Sequence, residues 1–67
     1  MSTIPVNRLR EARELKNMSQ LKLAILTNIV PGDISKLENR LLFPYPAWRK
    51  RLSAALEMPE SELFPEC

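Results

Sequence analysis

The one cysteine of this 67-residue chain is Cys67, and there is no histidine, so a disulfide or a zinc site is not available to hold the fold together. A disulfide needs two thiols, and structural zinc wants several Cys or His ligands. A chain of this length buries only about 60% of the surface its unfolded form exposes. The shortfall has to be met by an efficient core, by self-association, or by both. A hydrophobic share of 45% beside 27% charged residues fits a globular domain. One domain over residues 1–67 is expected. No apolar run approaches the roughly 18 residues of a membrane span, and the N-terminus has no signal-peptide pattern. The expected location is the cytoplasm, with no membrane partner, no metal and no cofactor.

Only one glycine is present, which makes hairpins a poor reading, whereas helical periodicity recurs along the chain. Val6–Lys16 places Leu9, Ala12 and Leu15 on one expected inner side, and Asn17 suits a left-handed helix stop. Ser19 reads as the N-cap of a second helix, Gln20–Thr27, with Leu23, Ala24 and Thr27 inward. Asn28 stops it. Pro31 fits the first turn of a third helix running to about Asn39, and Asp33 favours the dipole of that turn. Arg40–Pro46 reads as a loop, because Pro44 and Pro46 remove backbone donors. A fourth helix, about Ala47–Leu56, carries Trp48, Leu52, Ala55 and Leu56 on its apolar side, with Trp48 as a core anchor. Pro59 opens a short fifth helix through Phe64. The fold class is all-α.

Charge is unevenly spread. Residues 36–56 hold Lys36, Arg40, Arg49, Lys50 and Arg51 against Glu38, while residues 57–67 hold Glu57, Glu60, Glu62 and Glu66 and no base. A basic middle beside an acidic end suits one face turned to a polyanion and another turned away, although ordinary solvated surface has the same composition.

Two short helices joined by a tight turn describe a helix-turn-helix, but also many helical hairpins. Here Ser19-Gln20, Leu23-Ala24, Asn28-Ile29 and Ile34-Ser35-Lys36-Leu37-Glu38-Asn39 keep a specific spacing. With Pro44, Leu52, Ala55-Leu56 and Glu62-Leu63-Phe64, they resemble the phage-repressor Cro/CI type of regulator, the XRE family. The resemblance covers roughly residues 8–64, with the helix-turn-helix unit at about 19–39. It implies a five-helix, lambda-repressor-like DNA-binding domain whose third helix lies in the major groove. Asn28 and Arg40 stand where that family usually has glycine.

At about 100° per residue, Ile34 and Leu37 define the buried side of the third helix. The opposite side carries Gly32, Lys36 and Asn39, flanked by Asp33, Ser35 and Arg40, and these match the DNA-facing positions of the family. Lys36 is the leading candidate for a base contact, since lysine can donate to guanine O6 or N7; a phosphate contact is the alternative. Gly32 permits close approach, and Asp33 either accepts from cytosine N4 or only steadies the helix start. Gln20 resembles the phosphate-binding glutamine of the family. Asn39, Arg40, Arg49, Lys50 and Arg51 are the other phosphate candidates.

The resemblance also implies a partly buried ion pair between Arg13 and Glu38 that orients the third helix. Leu21 and Ile25 fall on the outer side of the second helix, where the family is usually polar. They mark either a partner or dimer patch or a surface covered by Ile4 and Val6. Leu41, Leu42 and Phe43 add apolar character to the following loop.

The expected function is a sequence-specific transcriptional regulator, a repressor that binds double-stranded DNA as a homodimer on an inverted repeat. The alternative is a protein-interaction module on the same scaffold, such as an antitoxin or the partner of another regulator. An enzyme is not expected, because the chain offers no histidine and no paired carboxylates in a pocket.

Overall fold

The computed structural model describes Ile4 and residues 6–66. Its elements are α1 (Leu9–Leu15), α2 (Gln20–Thr27), α3 (Pro31–Glu38), α4 (Pro46–Leu56) and α5 (Glu60–Leu63), with no strand among the described residues. The fold is the expected five-helix, all-α arrangement. Helix α2 packs on α3 and α4, α5 packs on α4, and α1 closes against α3. Among the described residues no helix is long and apolar enough to cross a membrane.

The inward residues of every helix meet in one cluster. Leu9 and Ala12 come from α1, Leu23 and Ala24 from α2, Ile34 and Leu37 from α3, Leu52 and Leu56 from α4, and Leu63 from α5. Ile29 from the turn and Phe64 after α5 complete it. Fully burying such aliphatic or aromatic side chains stabilises by about 1.5–3 kcal/mol each before chain entropy is counted. Thr27 is also buried, and its hydroxyl donates to the Leu23 carbonyl at 2.7 Å, so no polar group is stranded there.

Five expectations change at the level of single residues. Helix α1 starts at Leu9 rather than Val6, since Val6 is exposed and its N–H donates to Glu66 Oε1 at 2.9 Å. Asn7 prepares that start: its Oδ1 accepts from the Leu9 N–H at 3.0 Å, and its Nδ2 donates to the Leu37 carbonyl at 2.8 Å. Leu15 is 72% exposed rather than inward. Six steps of about 100° carry it well round the helix from Leu9, so the interval of six does not keep a residue on one face. Helix α3 ends at Glu38, and α4 starts one residue sooner than expected with Pro46 in its first turn, where a missing N–H does no harm. Helix α5 covers only Glu60–Leu63, with Pro59 before it and Phe64 after it.

Trp48 packs against the core while remaining partly exposed. Its ring meets that of Tyr45 edge-on, with centroids 4.9 Å apart.

Candidate nucleic-acid interface

The interface is built on α2, a tight turn and α3. Ser19 adopts extended backbone and its side chain accepts from the Lys22 N–H at 3.0 Å, so it caps α2 as its residue type predicts. Asn28 ends α2 with φ 57° and ψ 35°, the left-handed conformation that asparagine tolerates better than most residues. Ile29 then turns into the core. Val30 precedes α3 with extended backbone and no side-chain cap, and Pro31 sits in the first turn. The Val30 carbonyl accepts from the N–H groups of Asp33 and Ile34, so the backbone alone starts this helix.

The C-terminal end of α3 is fixed from α1 by one buried carboxylate. Glu38 Oε2 accepts from Arg13 Nε at 2.7 Å, and its Oε1 accepts from Arg13 Nη2 at 3.2 Å. The Glu38 side chain has 0% exposure and that of Arg13 has 13%. Arg13 Nη1 also donates to the Met18 carbonyl at 2.8 Å, which ties the pair to the segment leading into α2. Burial pushes the Glu38 carboxyl up. The hydrogen bonds from Arg13, Gln20 and Arg10 outweigh that and hold its pKa below the ordinary 4.5. A partly buried pair of the kind the family resemblance implies is therefore present, with the carboxylate the more enclosed of its two partners.

Two further donors reach the same carboxylate. Gln20 Nε2 donates to Glu38 Oε1 at 3.1 Å, so this phosphate candidate has an intramolecular acceptor. Arg10 Nε donates to Glu38 Oε1 at 3.2 Å, and its Nη2 donates to Asn39 Oδ1 at 3.3 Å. Arg10 and Asn7 are additions to the residues picked out from sequence. The signal for Arg10 is its spacing: three residues before Arg13, it lies on the same side of α1.

The outward side of α3 follows expectation. Ile34 and Leu37 are fully buried, Gly32, Lys36 and Asn39 are exposed, and Asp33 and Ser35 are intermediate. Gly32 has no positive φ, and a Cβ built on it would meet nothing within 4 Å. Its small size therefore answers no demand from within the fold. The Lys36 carbonyl accepts from the Leu41 N–H at 2.8 Å, but its side chain has no hydrogen bond or ion pair among the described residues, which leaves its ammonium group available on this face.

The phosphate candidates divide. Lys50 and Arg51 are exposed on α4. Arg49 is engaged: its Nη1 donates to the Pro44 carbonyl at 2.9 Å and its Nε lies 3.6 Å from Glu60. Asn39 Nδ2 donates to the Ser35 carbonyl at 2.9 Å. Arg40 has φ 58°, and its Nε and Nη2 donate to the Ile4 carbonyl at 3.1 and 2.8 Å. Gln20, Asn39, Arg40 and Arg49 thus each serve the fold.

Leu21 and Ile25 lie on the outer side of α2, 60% and 67% exposed. Ile4 is held at Arg40 and Val6 at Glu66, so the alternative in which Ile4 and Val6 cover this surface does not occur.

No family model matches the chain, and no curated protein sequence does. Among solved structures it is similar to the restriction-modification controller protein C.AhdI from Aeromonas hydrophila. The two are 32% identical with a TM-score of 0.81, over 85% of this chain and 86% of that one.

Proposed function

The chain belongs to the XRE-like family of helix-turn-helix transcriptional regulators, and on that footing we propose that it represses transcription as a homodimer on an inverted-repeat operator. The observation that supports this reading is the outward face of α3. A helix held rigidly by a buried carboxylate presents an unengaged lysine, Lys36, beside a glycine with open space around it. A rigid helix with small and cationic residues on its free side suits insertion into a major groove. Lys36 donates to guanine, while Lys50 and Arg51 contact phosphates on the flanking backbone. Half-sites lie about 34 Å apart, one helical turn of DNA. Activity of this kind is binding alone, without a catalytic step, and it takes place in the cytoplasm.

Selection of bound sequences from a random DNA pool tests the proposal. The expected outcome is a palindrome with guanine at a position that Lys36→Ala relaxes, and affinity that falls steeply with salt. Retention of DNA with no sequence preference would refute it. A homodimer also predicts one dimer per palindrome in sedimentation.

A further inference from the structure

The front of α3 is apolar. Val30 is 60% exposed, Pro31 and Gly32 follow it, and no side chain there can donate or accept a hydrogen bond before Asp33. Val30 and Pro31 line an open groove of about 240 Å³ together with Leu21, Ala24 and Ile25 of α2 and Asn28 and Ile29 of the turn, Asn28 being its one polar residue. Leu21 and Ile25 are one turn apart on α2, so both present to the same groove. The groove therefore joins the unexplained apolar residues of α2 to the leading end of the recognition helix.

In a helix-turn-helix, the N-terminal residues of the recognition helix meet base edges. Polar side chains at those positions read bases by hydrogen bonds. Val30 and Pro31 have none to offer, and Pro31 lacks even a backbone N–H. The apolar feature that the major groove displays is the 5-methyl group of thymine. Gly32 follows Pro31 in the first turn of α3, and a Cβ built on it would meet nothing within 4 Å, so a base edge has room to come in close at this end.

We propose that Val30 and Pro31, with Leu21 and Ile25 in the same groove, form an apolar notch that receives thymine 5-methyl groups and specifies thymine at that end of each half-site. The proposal rests on α3 entering the major groove. A second protein is the other conceivable occupant of an apolar groove. The place of Val30 and Pro31 at the leading end of α3 favours DNA, because that end is the one the proposed operator approaches.

Replacing thymine by deoxyuridine removes the methyl and leaves the hydrogen-bonding edge intact. The experiment takes the sequence selected by the full chain and replaces each thymine singly by deoxyuridine. At one or two positions per half-site the wild-type chain is expected to lose about fourfold in affinity, the value of one buried methyl group. Val30→Ala should bind the deoxyuridine site as the wild type does, so the fourfold difference collapses in the variant. Val30 is exposed and makes no capping bond, and a thermal melt checks that the variant folds. A selected site without thymine at this end overturns the proposal. So does indifference to deoxyuridine at every position, or a fourfold loss that Val30→Ala and Leu21→Ala leave unchanged. Those outcomes keep sequence-specific binding and remove only the notch. Failure to select any sequence removes the operator reading itself, and the notch with it.

Discussion

Arg13 and Glu38, 25 residues apart, meet through two hydrogen bonds of 2.7 and 3.2 Å, and the carboxylate between them is closed off from solvent. Together they set the position of α3 against α1. The helix that carries Lys36 is therefore held by electrostatics as well as by Ile34 and Leu37.

Removing Glu38 leaves the Arg13 guanidinium largely buried without its counter-charge. Such a loss typically costs about 3–5 kcal/mol, a large part of the stability of a domain this small. Glu38→Ala is expected to lose folding and DNA binding together in urea titration and binding assays. Arg10→Ala removes a half-exposed donor to the same carboxylate and should cost under about 1 kcal/mol. A Glu38→Ala chain that melts like the wild type would refute the role given to the pair.

The same carboxylate makes stability depend on pH in a defined direction. Its pKa in the folded chain lies below the ordinary value of 4.5 that applies when the chain is unfolded. The contribution is thus complete above about pH 4.5 and disappears as pH falls through the folded value. Urea midpoints measured from neutral pH downward should drop in that acid window. Glu38→Gln, which cannot titrate, should flatten the drop at the cost of lower stability throughout.

Gly32 separates fold from recognition. A methyl group added there meets nothing, and alanine is favoured over glycine within a helix by roughly 0.5–1 kcal/mol. Gly32→Ala should raise the melting temperature slightly while weakening DNA binding. Unchanged affinity would mean that DNA does not come close to this position.

The cations of α4 should respond differently to removal. Lys50→Ala and Arg51→Ala should leave the melt unchanged, and each should reduce the salt slope of DNA binding by about one. Arg49→Ala should lower stability as well, since Arg49 holds the Pro44 carbonyl and lies beside Glu60. Equal behaviour of all three in thermal melts would contradict this division.

Much of this is written in local chemistry. The cap at Ser19, the left-handed stop at Asn28 and the Pro31 first turn bound α2 and α3 to within a residue, because each depends on neighbours only a few positions away. Periodicity also identifies Ile34 and Leu37 as buried. Leu15 misleads because three-residue steps drift around a helix of 3.6 residues per turn. Pairing of long polar side chains is not legible in the same way. Gln20, Asn39, Arg40 and Arg49 are all suitable phosphate ligands by type, yet their partners here are Glu38, Ser35, Ile4 and Pro44. Those choices depend on which groups the packed helices bring within reach. Lys36 and Gly32 remain on the open face because the inward residues on either side of them fix the rotation of α3.

Among the described residues, four other than glycine occupy the left-handed region, Asn17, Asn28, Arg40 and Glu57, each just beyond a helix. Two of them also reach far along the chain: Arg40 holds the Ile4 carbonyl, and Glu57 accepts from Lys16 Nζ at 2.9 Å. A glycine would end the helix with less strain but make neither contact. The ends of α3 and α4 consequently each carry a contact to a distant segment, so fraying at either end also breaks a link to Ile4 or to Lys16. Local opening at these termini is thereby coupled to segments remote in sequence, more firmly through the part-buried Arg40 contact than through the exposed Glu57 one.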